Sequence, residues 1–430
     1  MPNEMNESLN ENPGDDLNTN SSDTGQLRIS VVSSIGLIPV VNATVILSYS
    51  GDPENPLTTL TTDQSGQTQT ITLPTPPLSL SLTPDTEIQP YSEYNMTISA
   101  EGYEPVSITG SELLSRQLSL QPVVMNPVET TEEQEKRVII PVHTLFGDYP
   151  PKIPEEEIKP MDESGEIVLS RVVIPEYIIV HDGVPSDSTA RNYWVRYKDY
   201  IKNVACCEIY PTWPEAAIYA NILAIMSFTL NRVYTEWYRG QGYSFTITTS
   251  TAYDQKYSYG RNIYENIDYL VDTIFANYLA RPGVRQPIFT SYCDGNRVSC
   301  NGLSQWGSKY LADEGYSAIE IIRYYFGNDM YIATADQISG VPSSYPGYEL
   351  TLGSSGDKVR QLQTQLNRIA RNYPAIPTLT PDGIYGPSTA ESVRTFQRIF
   401  NLPQTGNTDY ATWYEISDIY VGVTRIAEPD

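Results

Sequence analysis

The chain has 430 residues with 27 basic and 52 acidic side chains, a formal charge of −25. At roughly 100–200 residues per domain, that length suggests two to four domains with room for real cores. So acidic a chain argues against a nucleic-acid partner, and only two histidines, His143 and His181, argue against the histidine-rich sites of most catalytic zinc enzymes.

The acidity is uneven. Residues 1–170 hold 26 acidic and 6 basic residues, whereas 171–430 hold 26 and 21, so the two parts are expected to do different work. Tyrosine is abundant, 33 against 8 phenylalanines, which suits carbohydrate-like ligands and ordinary strands alike. Four cysteines are too few for a disulfide scaffold. The N-terminus lacks the basic and apolar regions of a secretory signal. The longest apolar run, within 216–230, is interrupted by Asn221, Ser227 and Thr229, so no membrane span is expected.

In chain order, residues 1–25 read as a disordered acidic tail. Over 26–122, short runs such as LRISVV, ATVILSYS and YNMTISA alternate with Gly, Pro, Asp and Ser clusters, which predicts an N-terminal antiparallel β-sandwich. It carries no catalytic constellation. Residues 123–170 lose periodicity and fill with proline and acid, predicting an exposed linker open to proteolysis. Residues 171–345 predict a central α+β domain. A strand there ends at His181, and Tyr197, Tyr200, Ile201, Val204 and Ala205 follow at helical spacing. A second helix, apolar nearly all round, is entered through Thr212-Trp-Pro-Glu215, where Thr212 and Glu215 suit a capping box, and runs to about Tyr238. Residues 346–422 predict a small three-helix domain, with Val359, Leu362, Leu366 and Ile369 on one stripe of its first helix. The whole reads as a multidomain α+β protein.

The last domain carries Asp382-Gly-Ile-Tyr-Gly-Pro387, then Thr389, Val393 and Phe396-Gln397. Gly383 and Gly386 suit a tight turn and Pro387 a helix start. This pattern resembles the small peptidoglycan-binding domain of many cell-wall hydrolases. The central domain carries Asp199-Tyr-Ile-Lys-Asn-Val-Ala-Cys-Cys-Glu208-Ile-Tyr-Pro-Thr-Trp-Pro-Glu-Ala-Ala217, Tyr253-Asp-Gln-Lys-Tyr257 and Gly302-Leu-Ser-Gln-Trp-Gly307. In that order they resemble the stage II sporulation protein D family of lytic transglycosylases. The complete arrangement is similar to the clostridial spore cortex-lytic enzymes. Those proteins are stored in the spore without a standard export signal and activated when a subtilisin-like germination protease removes the front part. The resemblance implies spore cortex peptidoglycan as substrate and an activating cut within 123–170.

The resemblance puts the catalytic acid at Glu208. Independently, a carboxyl among apolar and aromatic neighbours at a helix end suits a general acid, because desolvation favours its protonated form. In a lytic transglycosylase the sugar's own C6 hydroxyl attacks, so one glutamate suffices and the product ends in 1,6-anhydromuramic acid. Ser304, Gln305 and Trp306, with Tyr253, Gln255 and Tyr257, are the expected substrate contacts. Asp254 and Glu215 are the fallback acids, and no cysteine-protease pattern surrounds Cys207 and His181. Many relatives carry Cys and His zinc ligands where this chain reads Thr248-Thr-Ser-Thr-Ala-Tyr-Asp254, and a His where it has Ser299. No metal and no cofactor is therefore expected. Cys293 and Cys300 close a short loop before the Ser-Gln pair, and both a disulfide and a reduced pair stay open. The alternatives are a muramidase, an amidase acting on the stem peptide, or a wall-binding protein without activity.

Overall fold

The computed structural model describes residues 23–84, 87–128, 135–159 and 171–424. It is a mixed α+β protein with several sheets and, among the described residues, eight α-helices. The front part contains β1 (Asp23–Ser33), β2 (Thr44–Tyr49), β3 (Asp52–Thr61), β4 (Ile71–Thr75), β5 (Ser92–Ser99), β6 (Val106–Leu113), β7 (Leu118–Met125) and β8 (Lys136–Ile139). One sheet runs β3-β2-β5-β6-β8, and another contains β7-β1-β4. Alternate side chains from both meet in one core, among them Leu27, Ile29 and Val31 of β1, Val45 and Leu47 of β2, and Val123 and Met125 of β7. Two pairings, β1 with β7 and β6 with β8, are parallel. Their partners are distant in sequence, so no hairpin turn announces them. β1 begins inside the stretch expected as a tail; residues 1–22 lie outside the described residues.

The stretch expected as an exposed linker differs most. Residues 129–134 and 160–170 lie outside the described residues, but 135–159 pack closely. After β8, Ile140, His143, Leu145 and Lys159 are buried. The segment has no helical or strand period, so its isolated buried side chains leave no pattern in the sequence.

The central part comprises β9 (Val173–Ile174), β10 (Tyr177–His181), β11 (Asn192–Arg196), α1 (Tyr197–Glu208), α2 (Glu215–Tyr234), β12 (Ile247–Thr248), β13 (Ile263–Tyr264), α3 (Glu265–Ile274), β14 (Asn277–Ala280), β15 (Tyr292–Cys293), β16 (Leu303–Ser304), α4 (Gln305–Asp313), α5 (Ala318–Phe326), β17 (Tyr331–Thr334) and β18 (Gln337–Ile338). α2 is long and apolar enough to cross a membrane by composition, but its residues are buried inside the protein as in a core helix. No side chain caps it: Thr212 instead bonds Ser81 Oγ of the front part at 2.9 Å. β13 pairs with β7, so a strand of the central part extends a front sheet. Beside it, Arg261 and Glu112 form an ion pair at 2.7 Å, each side chain 1% exposed. Burial outweighs the attraction of Arg261 and pushes the Glu112 carboxyl up to about 7.

The C-terminal part holds α6 (Asp357–Ala370), α7 (Pro387–Ile399) and α8 (Tyr410–Thr424). Val359, Leu362, Leu366 and Ile369 are fully buried against Phe396 and Trp413. In the 382–387 turn only Gly383 is left-handed (φ +79°), and its N–H donates to Gln363 at 2.9 Å. Gly386 is extended, a conformation open to any residue.

α8 is clamped to the central part by charge. Lys198 of α1 reaches Glu415 and Asp418 of α8 at 2.7 Å each, and Asp272 of α3 at 3.2 Å. Lys202, one turn on, pairs with Asp268 at 2.6 Å and Asp272 at 2.9 Å. Burial, opposed by Lys202 and helped by Asp272, raises Asp268 to about 6. Glu415 is desolvated too, but Lys198 and Lys202 outweigh that and hold it at about 2. A carboxyl whose folded pKa is raised contributes stability below its unfolded value and loses it as pH rises through the folded one. Asp268 should therefore contribute a fall in melting temperature from pH 5 to pH 7.5, and Glu112 adds the same sign. His143, which burial holds well below the usual imidazole range, contributes the opposite sign up to about pH 6.5. Asp268→Asn should flatten that slope by its own share. Calorimetric melting of parent and variant across pH 5–7.5 checks this, and identical slopes would contradict it.

Candidate functional site

Glu208 ends α1, a helix buried along almost its whole length. The chain leaves it in extended backbone at Ile209, and Pro211 follows. Glu208 is 4% exposed. Its Oε1 accepts the Lys256 backbone N–H at 2.9 Å, and its Oε2 lies 3.3 Å from Gln305 Nε2. The three separated motifs therefore converge: the end of α1, the 253–257 turn, and the start of α4.

The members of those motifs fall into different places. Ser304 caps α4, its Oγ accepting the Gly307 N–H at 2.9 Å. Gln305 is buried with its amide toward Glu208. Trp306 is 3% exposed and packs on Trp213 and Tyr210. Gln255 is fully buried, its carbonyl accepting Tyr200 and Thr229 hydroxyls and its amide donating to Ile225 O. Tyr257 is buried and stacked on Tyr200. Of the six, only Tyr253 is exposed. Both oxygens of Asp254 are engaged, one by Arg232 at 2.8 Å and the other by Tyr238 and Thr248. Asp254 thus braces the turn that presents the Lys256 N–H. Glu215 is exposed on the first turn of α2. His181 stacks on Phe245, and Cys207 Sγ contacts Asn203, so these two side chains do not form a pair. Among the described residues no cluster of three or more His, Cys, Asp or Glu side chains is placed to hold a metal ion.

Cys293 and Cys300 form a disulfide. Asp294 inside the loop accepts the N–H groups of Arg297 and Val298 at 2.9 and 2.8 Å. Gly295 sits so close to Ser304 that an added Cβ would meet its Oγ at 1.8 Å. The loop is thereby fitted against the start of α4.

The sequence reading missed the segment that covers this site. Thr144 donates its N–H to Cys207 O at 3.2 Å, and its hydroxyl to the same carbonyl at 2.8 Å while lying 3.4 Å from Glu208 Oε2. Arg297 of the disulfide loop donates to Phe146 O and Gly147 O. Lys152 reaches Asp254 O and lies 4.7 Å over the Tyr292 ring. Burial pushes its ammonium below the usual lysine range, opposed by the nearby Glu208 and Asp254. Further along, Ile153 N–H donates to Ala252 O, Glu155 makes a bidentate pair with Arg232, and Lys159 exchanges backbone hydrogen bonds with the Gln286 amide. Residues 140–159 thus form a strap laid across Glu208 and fastened on its far side.

Residues 355–416 match the family model of a peptidoglycan binding domain. No curated protein matches the chain. Among solved structures, the minor pilin GBS52 of Streptococcus agalactiae is 15% identical with a TM-score of 0.18, covering 26% of this chain and 48% of the pilin. The 3-chlorocatechol 1,2-dioxygenase of Rhodococcus opacus 1CP is 15% identical with a TM-score of 0.19, covering 25% and 61%. A catechol 1,2-dioxygenase of Acinetobacter radioresistens is 12% identical with a TM-score of 0.18, covering 29% and 60%. This chain spans only about half to three-fifths of those proteins, and likenesses this weak carry no argument. The C-terminal helical region is a peptidoglycan-binding domain, consistent with a protein that works at the cell wall.

Proposed function

We propose that the protein is a lytic transglycosylase of spore cortex peptidoglycan, held inactive by its own front part until proteolysis during germination. The observation that carries the reading is the setting of Glu208: a nearly buried carboxyl, fixed from two motifs and covered by the 140–159 strap. Wall binding by the C-terminal part supplies the substrate class, and the motif resemblance to the stage II sporulation protein D family and the spore cortex-lytic enzymes supplies the chemistry. The same resemblance suggests a subtilisin-like protease as activator and the spore as location. The front part is read as a β-sandwich pro-domain and the C-terminal part as a compact three-helix module.

In this reading Glu208 gives its proton to the oxygen linking N-acetylmuramic acid to N-acetylglucosamine, and the bond from C1 to that oxygen breaks. The C6 hydroxyl of the same muramic residue then bonds to C1 while its proton returns to the Glu208 carboxylate. One carboxyl serves both steps. Glycosidases that use water require a second one, and the nearby Asp254 has both oxygens committed to Arg232, Tyr238 and Thr248. Gln305 and the Lys256 N–H hold the carboxylate in place, which preserves the geometry on which proton transfer depends.

The test is the product. The full chain, cut after folding at a protease site inserted within 160–170, is incubated with cortex peptidoglycan and the fragments are read by mass spectrometry. Anhydromuramoyl ends are expected. Reducing muramic ends would indicate a muramidase, free stem peptides an amidase, and binding without release a non-enzymatic role; each would overturn the proposal.

A further inference from the structure

A cavity of about 740 Å³ lies where the front, central and C-terminal parts meet, within the usual size of ligand sites. Tyr193, Trp194 and Tyr259 line it from the central part, and Tyr373, Phe400 and Asn401 from the C-terminal part. Tyr193 and Tyr259 stack with ring centroids 4.7 Å apart. Trp194 on β11 is 69% exposed, touching the Tyr177 ring only edge-on. Lys136 of β8 lies 5.1 Å over the face of Tyr259, which is still 37% exposed, so the front part reaches that ring. α1 contributes Asp199, Lys202 and Asn203 to the same cavity and ends at Glu208.

We propose that this junction is a glycan-binding subsite for an N-acetylated peptidoglycan strand, shared between the wall-binding and central parts and narrowed by the front part in the intact chain. Three observations converge on that ligand. Residues 373, 400 and 401 fall inside the segment that matches a peptidoglycan binding domain. Flat aromatic faces suit pyranose rings, whose C–H faces pack on aromatics; the carrying contact is therefore aromatic, since Lys202, Asn203 and Asn401 are already bonded within the protein. A large aromatic left open to water at a cavity mouth marks a contact the fold itself does not use. The inference rests on peptidoglycan as ligand and is independent of the chemistry at Glu208.

The test uses the full chain carrying Glu208→Gln, so that no substrate is consumed, pelleted with purified peptidoglycan sacculi and titrated with chitotetraose by calorimetry. Trp194→Ala and Tyr259→Ala should each weaken both interactions fivefold or more; Trp194→Ala should do so without lowering the melting temperature, whereas Tyr259→Ala also gives up its stack on Tyr193. Trp194→Phe should keep most of the binding, and Tyr324→Ala, an equally exposed aromatic outside the cavity, should change neither. Parent-like binding by both alanine variants would overturn the subsite, as would an equal loss in the Tyr324 variant. Weakened binding together with a cut chain that yields no anhydromuramoyl ends would uphold the subsite while removing the transglycosylase reading.

Discussion

Glu208→Gln in the cut chain should lower the rate of glycan release by about 10²–10⁴-fold, the range associated with a positioned general acid, while leaving the melting temperature close to that of the parent. Glutamine keeps the volume and still accepts the Lys256 N–H through its amide oxygen, so the 253–257 turn keeps its packing, while its amide nitrogen now faces Gln305, whose amide must turn its oxygen toward it. What it loses is the proton that the leaving oxygen must receive. Gln305→Ala should cost less, about tenfold, because it removes a neighbour that orients the carboxylate and not the group that transfers the proton. The comparison is made as initial rates of fragment release on the same cortex preparation. A Glu208→Gln chain that retained more than a tenth of the parent rate would remove Glu208 as the acid. A Gln305→Ala chain as impaired as Glu208→Gln, but equally well folded, would move the proton donor to a different arrangement.

The contributors at Glu208 were legible because each of the three sits in a motif that resembles, in order, those of a known family. The division of labour inside those motifs was not. Gln255 looks like a substrate amide in the sequence, yet a buried hydroxyl pair, Tyr200 and Thr229, needs its carbonyl inside the core. Trp306 looks like a sugar platform, yet it fills space beside Trp213. A backbone donor such as the Lys256 N–H leaves no residue-type signal at all. The C-terminal helices were the easiest to read, since Val359, Leu362, Leu366 and Ile369 keep a helical period and all are buried. The contacts that join the parts lie beyond any local pattern: Glu112 and Arg261 are 149 residues apart, and Lys198 and Glu415 217 apart. The strap was hidden for a further reason. Proline and acidic residues are usually signs of solvent exposure, but here Glu155 and Glu157 pair with Arg232 and Arg281.

That strap makes the position of a cut decisive. Residues 129–134 lie before it and 160–170 after it, so two engineered cuts separate covering by the front sheets from covering by the strap. A cut within 129–134 frees the front sheets to leave once their contacts at Arg261, β13 and β8 dissociate, but β8 and the strap remain covalently joined to the central part. Short tethers give effective concentrations in the millimolar range, so Glu208 stays covered. A cut within 160–170 turns the strap and the front sheets into a separate piece, held without a covalent link by the contacts at Thr144, Phe146, Lys152, Ile153, Glu155 and Lys159 and by those of the front sheets at Arg261 and β13. At micromolar protein that piece loses roughly a thousandfold in effective concentration relative to the tethered state. Release of cortex fragments should therefore rise at least tenfold after the second cut, rise further on dilution, and change little after the first. Activity gained equally from both cuts would show that the sheets, and not the strap, close the site. Activity that is the same in cut and uncut chains would show that substrate displaces the strap unaided, and the proteolytic step would then have no catalytic purpose.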